Sequence, residues 1–340
     1  MNLTFDQIKA VAQGAARFCR QDNGIALYRF NEAEDALYTG TFFDIRRFSG
    51  TGIQLEFQTD ATALTLKVYT GEGSSRTYFS YDIFENTTFI GCLRNYSDDI
   101  FQLEDYTDDD HPLGRHCGHF SLSAGVKTLR IVLPWSVSTI IEELSLEDAS
   151  FVTPVKLPKT MLMYGDSITQ GYDALNPSRA YAVQLARHLN AEAFNKGVGG
   201  ERFNMELAAI KNDLTPDYIT VAYGTNDITI ANNAQDWNPV NFEDTCRGFY
   251  ETLRSNYPDV KIIGISPIWR EDAVKDAIRI PLEQAAEIIR RVCQDIHAIF
   301  VHGWELVPHD PKFFGDLRLH PSNEGFDHFY RNLANRLENL

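Results

Sequence analysis

A chain of 340 residues has material for one large domain or two ordinary ones, and 44% hydrophobic with 12% aromatic content excludes an intrinsically disordered protein. The formal net charge of -16 argues against a nucleic-acid or anionic-membrane partner, since both attract basic surfaces. No stretch approaches the roughly 20 apolar residues of a membrane span.

The start, Met1-Asn2-Leu3-Thr4-Phe5-Asp6, lacks a basic segment followed by an apolar run, so it does not read as a secretory signal. The five cysteines (Cys19, Cys92, Cys117, Cys246 and Cys293) are scattered and suit reduced thiols better than a disulfide framework. A cytoplasmic protein is expected. Residues 4–19 have helical spacing, with Phe5, Ile8, Ala12, Ala15 and Cys19 near one face and Thr4 and Gln7 as a capping-box pair.

Strand signals follow. Ile53, Leu55 and Phe57 alternate with Gln54, Glu56 and Gln58, and Leu64, Leu66 and Val68 repeat the pattern after Thr59-Asp60-Ala61. Further candidates are 41–47, 76–84, 87–93, 118–123, 127–133 and 139–146. About eight short strands with no helix among them predict an antiparallel sandwich or jelly roll over 1–155. Tyr78, Phe79 and Tyr81 are of a type that stacks on sugars, but their period-two spacing favours a place in the core.

The junction is placed at Thr153-Pro154-Val155-Lys156-Leu157-Pro158, where two prolines keep the chain extended. Over 156–340 the pattern alternates. Continuous apolar runs at Met161–Tyr164, Ile219–Ala222, Ile262–Ile265 and Ile299–Val301 read as strands covered on both faces. Between them, Phe242, Cys246, Phe249 and Leu253 share one helical face, as do Leu282, Ala285, Ile289, Val292 and Ile296, with Pro281 expected in the first turn. Phe326, Phe329, Tyr330, Leu333 and Leu337 form a last stripe. The prediction is an α/β domain with a parallel sheet and helices on both sides, and no internal repeat.

Ligands of open α/β sheets gather at the carboxyl ends of the strands, where four polar blocks fall. Ser167 in Gly165-Asp166-Ser167 stands at a strand-to-helix turn. A serine hydroxyl is a poor nucleophile until a base takes its proton, and His320 before Pro321 is the candidate base. The NH of Ser167, the NH of Gly200 at the end of Asn195–Gly200, and the amide of Asn226 in Gly224-Thr225-Asn226-Asp227 are candidate donors to an oxyanion. Each block alone has a plainer explanation: a helix N-cap, a flexible loop or an Asx turn. Asp166, Trp269 and Arg270 are placed at the substrate pocket, with Trp304 a weaker candidate.

In order and spacing the four blocks resemble those of the SGNH (GDSL-type) hydrolases over roughly residues 158–338. The resemblance implies a flavodoxin-like three-layer domain, Ser167 as nucleophile, Gly200 and Asn226 as oxyanion donors, and His320 as general base. The family commonly carries an aspartate three residues before the histidine to orient the imidazole; here that position is Leu317, with Asp316 one place earlier. Asp316 on a local bulge, a Ser–His dyad leaning on a backbone carbonyl, and Asp310 are the alternatives.

A jelly-roll-like domain before an SGNH domain also resembles the acetyl esterases of carbohydrate esterase family two, Phe48-Ser49-Gly50-Thr51-Gly52 being the most similar local stretch. That likeness implies removal of acetyl groups from sugar hydroxyls, with an acylated sugar or oligosaccharide as partner and no metal or organic cofactor. A lipid esterase or thioesterase on the same residues, and an inactive carbohydrate-binding protein, are the alternatives. Oligomeric state is left open. A rival metal set, Asp108-Asp109-Asp110-His111 with His116, Cys117 and His119, has suitable ligand types but matches no familiar zinc spacing. None of the cysteines stands in a recognisable Cys–His context.

Overall fold

The computed structural model describes residues 1–97, 111–229 and 237–338. The fold is mixed α/β, divided into two compact units, residues 1–158 with 175–178 and residues 159–174 with 179–340. Among the described residues no helix is long and apolar enough to cross a membrane.

The first unit begins with α1 (Phe5–Val11), β1 (Ala12–Gln13), β2 (Arg17–Gln21), β3 (Gly24–Tyr28) and α2 (Glu32–Tyr38). Then come β4 (Gln54–Thr59), β5 (Ala63–Glu72), β6 (Ser80–Glu85), β7 (Thr88–Arg94), β8 (Gly114–Ser121), β9 (Lys127–Val132), β10 (Val137–Glu147) and β11 (Thr153–Pro154). They form two antiparallel sheets, one ordered β1-β4-β9-β6-β7 with β11 also on β4, the other β2-β3-β10-β5-β8. Alternation along each strand drives the core: Leu64, Leu66 and Val68 of β5 and Leu144 and Leu146 of β10 join Leu55 and Phe57 of β4 and Leu129 and Ile131 of β9 in one buried cluster.

Three local expectations need correction here. The helix expected over 4–19 keeps its Thr4–Gln7 capping box but stops at Val11. Ala12 turns extended, Gly14 takes φ 75, and Arg17–Gln21 pairs with β3, which leaves Cys19 exposed. Residues 41–47 are not a strand: Asp44–Phe48 is a 3-10 turn, tied by ion pairs from Arg47 to Asp44 and Asp35. A helix, α2, does lie among the strands, started by a capping box of Asn31 and Glu34.

Tyr78, Phe79 and Tyr81 are buried, and the Tyr81 hydroxyl meets Thr139 Oγ1 at 2.7 Å. Alternation on β8 turns His116 to one face and Cys117 and His119 to the other, so these candidate ligands do not converge. Asp108, Asp109 and Asp110 lie outside the described residues. Residues 175–178 belong to this unit through Asp82, whose carboxylate accepts from Asn176 Nδ2 at 2.8 Å, Ser178 N at 3.0 Å and Ser178 Oγ at 2.6 Å.

The second unit runs β12 (Lys159–Gly165), α3 (Ser167–Gln170), α4 (Tyr181–His188), β13 (Ala191–Asn195), α5 (Met205–Ala209), β14 (Tyr218–Ala222) and α6 (Thr225–Thr229). It continues with α7 (Pro239–Asn256), β15 (Lys261–Ile265), α8 (Asp276–Asp295), β16 (Ile299–Val301) and α9 (Asn323–Leu337). The five strands are all parallel, ordered β13-β12-β14-β15-β16. Met161, Leu162, Met163 and Tyr164 of β12 are fully buried, as a central strand covered on both faces requires.

Strand order reverses at β12, so successive right-handed crossovers lie on opposite faces of the sheet. The helices accordingly form two groups: α4 packs on α9, with Tyr181 stacked on Phe329 at 4.0 Å, while α7 packs on α5 and α8. The apolar faces expected on α7 and α9 are buried at Phe242, Cys246, Phe249 and Leu253 and at Phe326, Phe329 and Leu333. Pro281 differs from expectation: α8 starts at Asp276, so the proline lies inside the helix rather than in its first turn.

Candidate active site

The reversal of strand order opens a crevice at the carboxyl ends of β12 and β14, where a doubly wound sheet binds its ligands. β12 closes on Gly165, where a Cβ would come within 2.0 Å of Thr169 Oγ1 and 2.9 Å of the Ala222 carbonyl. Only glycine lets the chain turn there. Asp166 then caps α3, accepting the Ile168 NH at 2.9 Å, and Ser167 opens the helix.

His320 reaches the same point from the loop before α9, whose N-cap is Ser322. Ser167 Oγ lies 2.8 Å from His320 Nε2, and Asp316 Oδ2 lies 2.8 Å from Nδ1. The other Asp316 oxygen accepts the backbone NH of Arg318 at 2.9 Å, Leu319 at 2.7 Å and His320 at 3.1 Å. Burial pushes the Asp316 carboxyl up, but its hydrogen bond to His320, the imidazole charge and the backbone donors more than offset this and hold it well below the usual carboxylate range. Leu317 permits the geometry by taking a left-handed φ of 56. Tyr172 lies across the imidazole, ring centroids 5.3 Å apart.

The second block is fixed onto α3. Asn195 Nδ2 donates to the Thr169 carbonyl at 2.8 Å and its Oδ1 accepts the Gly197 NH at 2.8 Å, while Gly199 N donates to Gln170 Oε1 at 2.8 Å. A Cβ on Gly199 would come within 2.7 Å of the Tyr172 hydroxyl, and Gly200 has φ 84. Asn226, near the start of α6, donates one amide hydrogen to the Glu201 carbonyl at 3.0 Å, which ties the third block to the end of the second. Burial pushes the neighbouring Asp227 carboxyl up to about 7, opposed by Arg202.

Other expected site residues are held in contacts of their own. Asp166, placed at the substrate pocket by sequence, is 2% exposed and directed at its own helix; burial raises its carboxyl to about 7, opposed by the Ile168 NH. Arg270, also expected at the pocket, is buried in an ion pair with Asp272, and its Nη1 donates to Thr225 Oγ1 at 3.2 Å. It braces the Asn226 turn instead of facing solvent. Trp269 stacks on His309 with ring centroids 5.4 Å apart and packs on Phe314, and Trp304 packs edge-on against the same histidine. Asp310 caps a 3-10 turn and pairs with Lys312, so it is not the partner of His320.

Sequence reasoning missed Tyr172 and Asp173, whose Oδ2 lies 3.6 Å from His320 Nδ1. Asp173, Asp316 and His320 are donor types a divalent cation accepts, but both imidazole nitrogens already have hydrogen-bond partners. A larger groove, about 770 Å³, lies between Arg254, Lys261 and His297 at the opposite, amino ends of β15 and β16. The Arg254 guanidinium there is bonded to the carbonyls of Ile296, Pro258, Val260 and His297.

Residues 163–328 match the GDSL-like Lipase/Acylhydrolase family. A search of curated proteins finds no match. Among solved structures, the salicylyl-acyltransferase SsfX3 from a tetracycline biosynthetic pathway superposes with a TM-score of 0.75 at 18% identity, covering 96% of this chain and 94% of that one. A family two carbohydrate esterase from Clostridium thermocellum, in complex with cellohexaose, gives 0.67 at 15% identity over 96% and 98%. The acetyl xylan esterase Est2A from the rumen bacterium Butyrivibrio proteoclasticus gives 0.63 at 15% identity over 100% and 98%. At these identities the likeness is one of fold.

Proposed function

Residues 163–328 form a GDSL-like lipase/acylhydrolase domain, and from that premise we propose a serine esterase that removes short acyl groups, with acetate on a sugar or oligosaccharide as the preferred substrate. The observation that carries the proposal is the unbroken relay from Ser167 Oγ to His320 Nε2 at 2.8 Å and from His320 Nδ1 to Asp316 Oδ2 at 2.8 Å. His320 takes the serine proton as Oγ attacks the ester carbonyl, and Asp316 holds the ring and stabilises the imidazolium. The NH groups of Ser167 and Gly200 and the amide of Asn226 receive the charge that develops on the carbonyl oxygen. The same imidazolium returns its proton to the leaving alcohol, and His320 then activates a water that releases the acyl group.

The complete relay argues against an inactive binding protein. The sugar preference draws on the fold shared with family two carbohydrate esterases, whose Clostridium thermocellum member holds cellohexaose. The test is hydrolysis of p-nitrophenyl acetate and its longer-chain homologues, followed by acetylated oligosaccharides, with wild type and Ser167→Ala. Expected are fast acetate release, little octanoate release, acetate release from the sugars, and collapse of all turnover in the variant. A preference for octanoate would replace the sugar ester with a lipid one. Equal rates for both proteins would remove Ser167 from the chemistry.

A further inference from the structure

Among the described residues, two carboxylates approach Nδ1 of His320. Asp316 Oδ2 lies 2.8 Å from Nδ1, and Asp173 Oδ2 approaches the same nitrogen to 3.6 Å, from the segment that leaves α3. One side-chain donor atom from each of Asp173, Asp316 and His320 lies within 4.8 Å of the others.

Asp173 holds this place against two costs. Its residue is 1% exposed, and a buried carboxylate is unfavourable unless compensated. Its backbone is left-handed, with φ 64, a conformation that penalises any side chain. The facing loop also makes room for it: a Cβ on Gly315 would come within 2.7 Å of Asp173 Cβ, while Gly315 N donates to the His320 carbonyl at 2.8 Å. Gly315 thus packs on Asp173 and is bonded to the backbone of His320.

We propose that Asp173 is a positioning residue for His320, a second carboxylate that stabilises the imidazolium alongside Asp316. The proposal rests on the esterase reading above. The proton moves from Ser167 Oγ to Nε2 and later to the leaving alcohol; Asp173 takes none and acts through its charge beside Nδ1. Among the described residues, the other groups around this imidazole are Ser167 on Nε2, the Tyr172 ring across its face and, farther off, the Asp166 carboxyl turned toward α3.

The test compares wild type, Asp173→Asn, Asp316→Asn and the double variant in kcat/KM against pH, with thermal midpoints to establish folding. Removing a negative charge beside the imidazolium disfavours the protonated ring, so the acid limb of the profile moves to lower pH. Expected for Asp173→Asn are a shift of roughly half a unit or more and a kcat/KM loss of about 10-fold, carried by kcat with KM little changed. Asp316→Asn alone loses about 100-fold, because Asp173 still faces Nδ1, and the double variant approaches the ~10⁴ loss of a triad without its acid.

A second readout needs no turnover. In a Ser167→Ala background, the downfield proton resonance of the His320 Nδ1–H persists in Asp316→Asn and is lost in the double variant. A wild-type acid limb in Asp173→Asn, together with identical rates for Asp316→Asn and the double variant, overturns the proposal. The esterase reading would stand in that case if Ser167→Ala still abolished turnover. If Ser167→Ala kept its activity, the esterase reading would fail while the resonance still reported on Asp173.

Discussion

Asp316 reaches His320 across four residues, and the left-handed backbone of Leu317 absorbs the extra one. The Leu317 NH bonds back to the Phe314 carbonyl at 3.0 Å, and its side chain is 62% exposed. The contact therefore depends on the backbone conformation at 317 and not on the leucine side chain, which buries little.

Substitutions at 317 separate backbone from side chain. Leu317→Gly reaches positive φ without penalty and is expected to hold wild-type kcat, with stability changed by no more than about 1 kcal/mol. Leu317→Pro locks φ near -65 and removes the NH, so Asp316 loses its approach to Nδ1 and kcat falls by about 100-fold. Steady-state kinetics on p-nitrophenyl acetate check both; a fully active proline variant would show that the Asp316 contact is dispensable.

Asn226 is expected to act on charge that exists only in the transition state. Asn226→Ala should lower kcat by about 10²-fold to 10³-fold and leave KM nearly unchanged. A raised KM at constant kcat would instead assign it to ground-state binding.

Much of the second unit was legible because its signals are physical necessities. A strand buried on both faces must be apolar throughout, which made β12, β14 and β15 readable, and glycine-flanked polar blocks at their carboxyl ends pointed to the crevice. The edge strand β13 went unread because Glu192 interrupts its apolar run. In the first unit, helical spacing over 4–19 was overridden by pairing of β2 with β3, a long-range choice that local periodicity does not encode. The capping box of Asn31 and Glu34 was a readable sign of α2. Asp173 had no local signal, because its meaning comes from packing against Gly315 and His320, which are remote in sequence.

The buried cap of α3 predicts a pH dependence of stability. Asp166 has its carboxyl at about 7 in the folded protein, raised chiefly by burial, against about 3.9 for an unfolded aspartate. The native state therefore binds the extra proton between those values, and this group's contribution to stability falls as pH rises from about 4 to about 7. Asp166→Asn keeps an oxygen to accept the Ile168 NH and removes the charge. Urea unfolding should show the variant gaining on wild type across that window, by up to ~1.4 kcal/mol per pH unit. Parallel curves would mean that Asp166 does not titrate there.

Arg270 is predicted to be a brace. Arg270→Ala takes from Asp272 its buried partner, leaving it Arg318 at 3.6 Å, and frees Thr225 from its guanidinium donor; it is expected to cost up to about 3 kcal/mol in urea unfolding and to lower kcat with the loosened Asn226 turn. An unchanged stability with a raised KM for sugar esters would return Arg270 to the substrate pocket.

Ser167 is predicted to carry the acyl group as a covalent acyl-enzyme. The most direct measurement is intact-mass and peptide-mass analysis after treatment with a fluorophosphonate, beside acid-quenched reactions with p-nitrophenyl acetate. A single adduct on the peptide carrying Ser167 is predicted, absent in Ser167→Ala and much slower to form in His320→Ala. Rapid ester hydrolysis with no adduct on Ser167, or with the adduct on another residue, would contradict it.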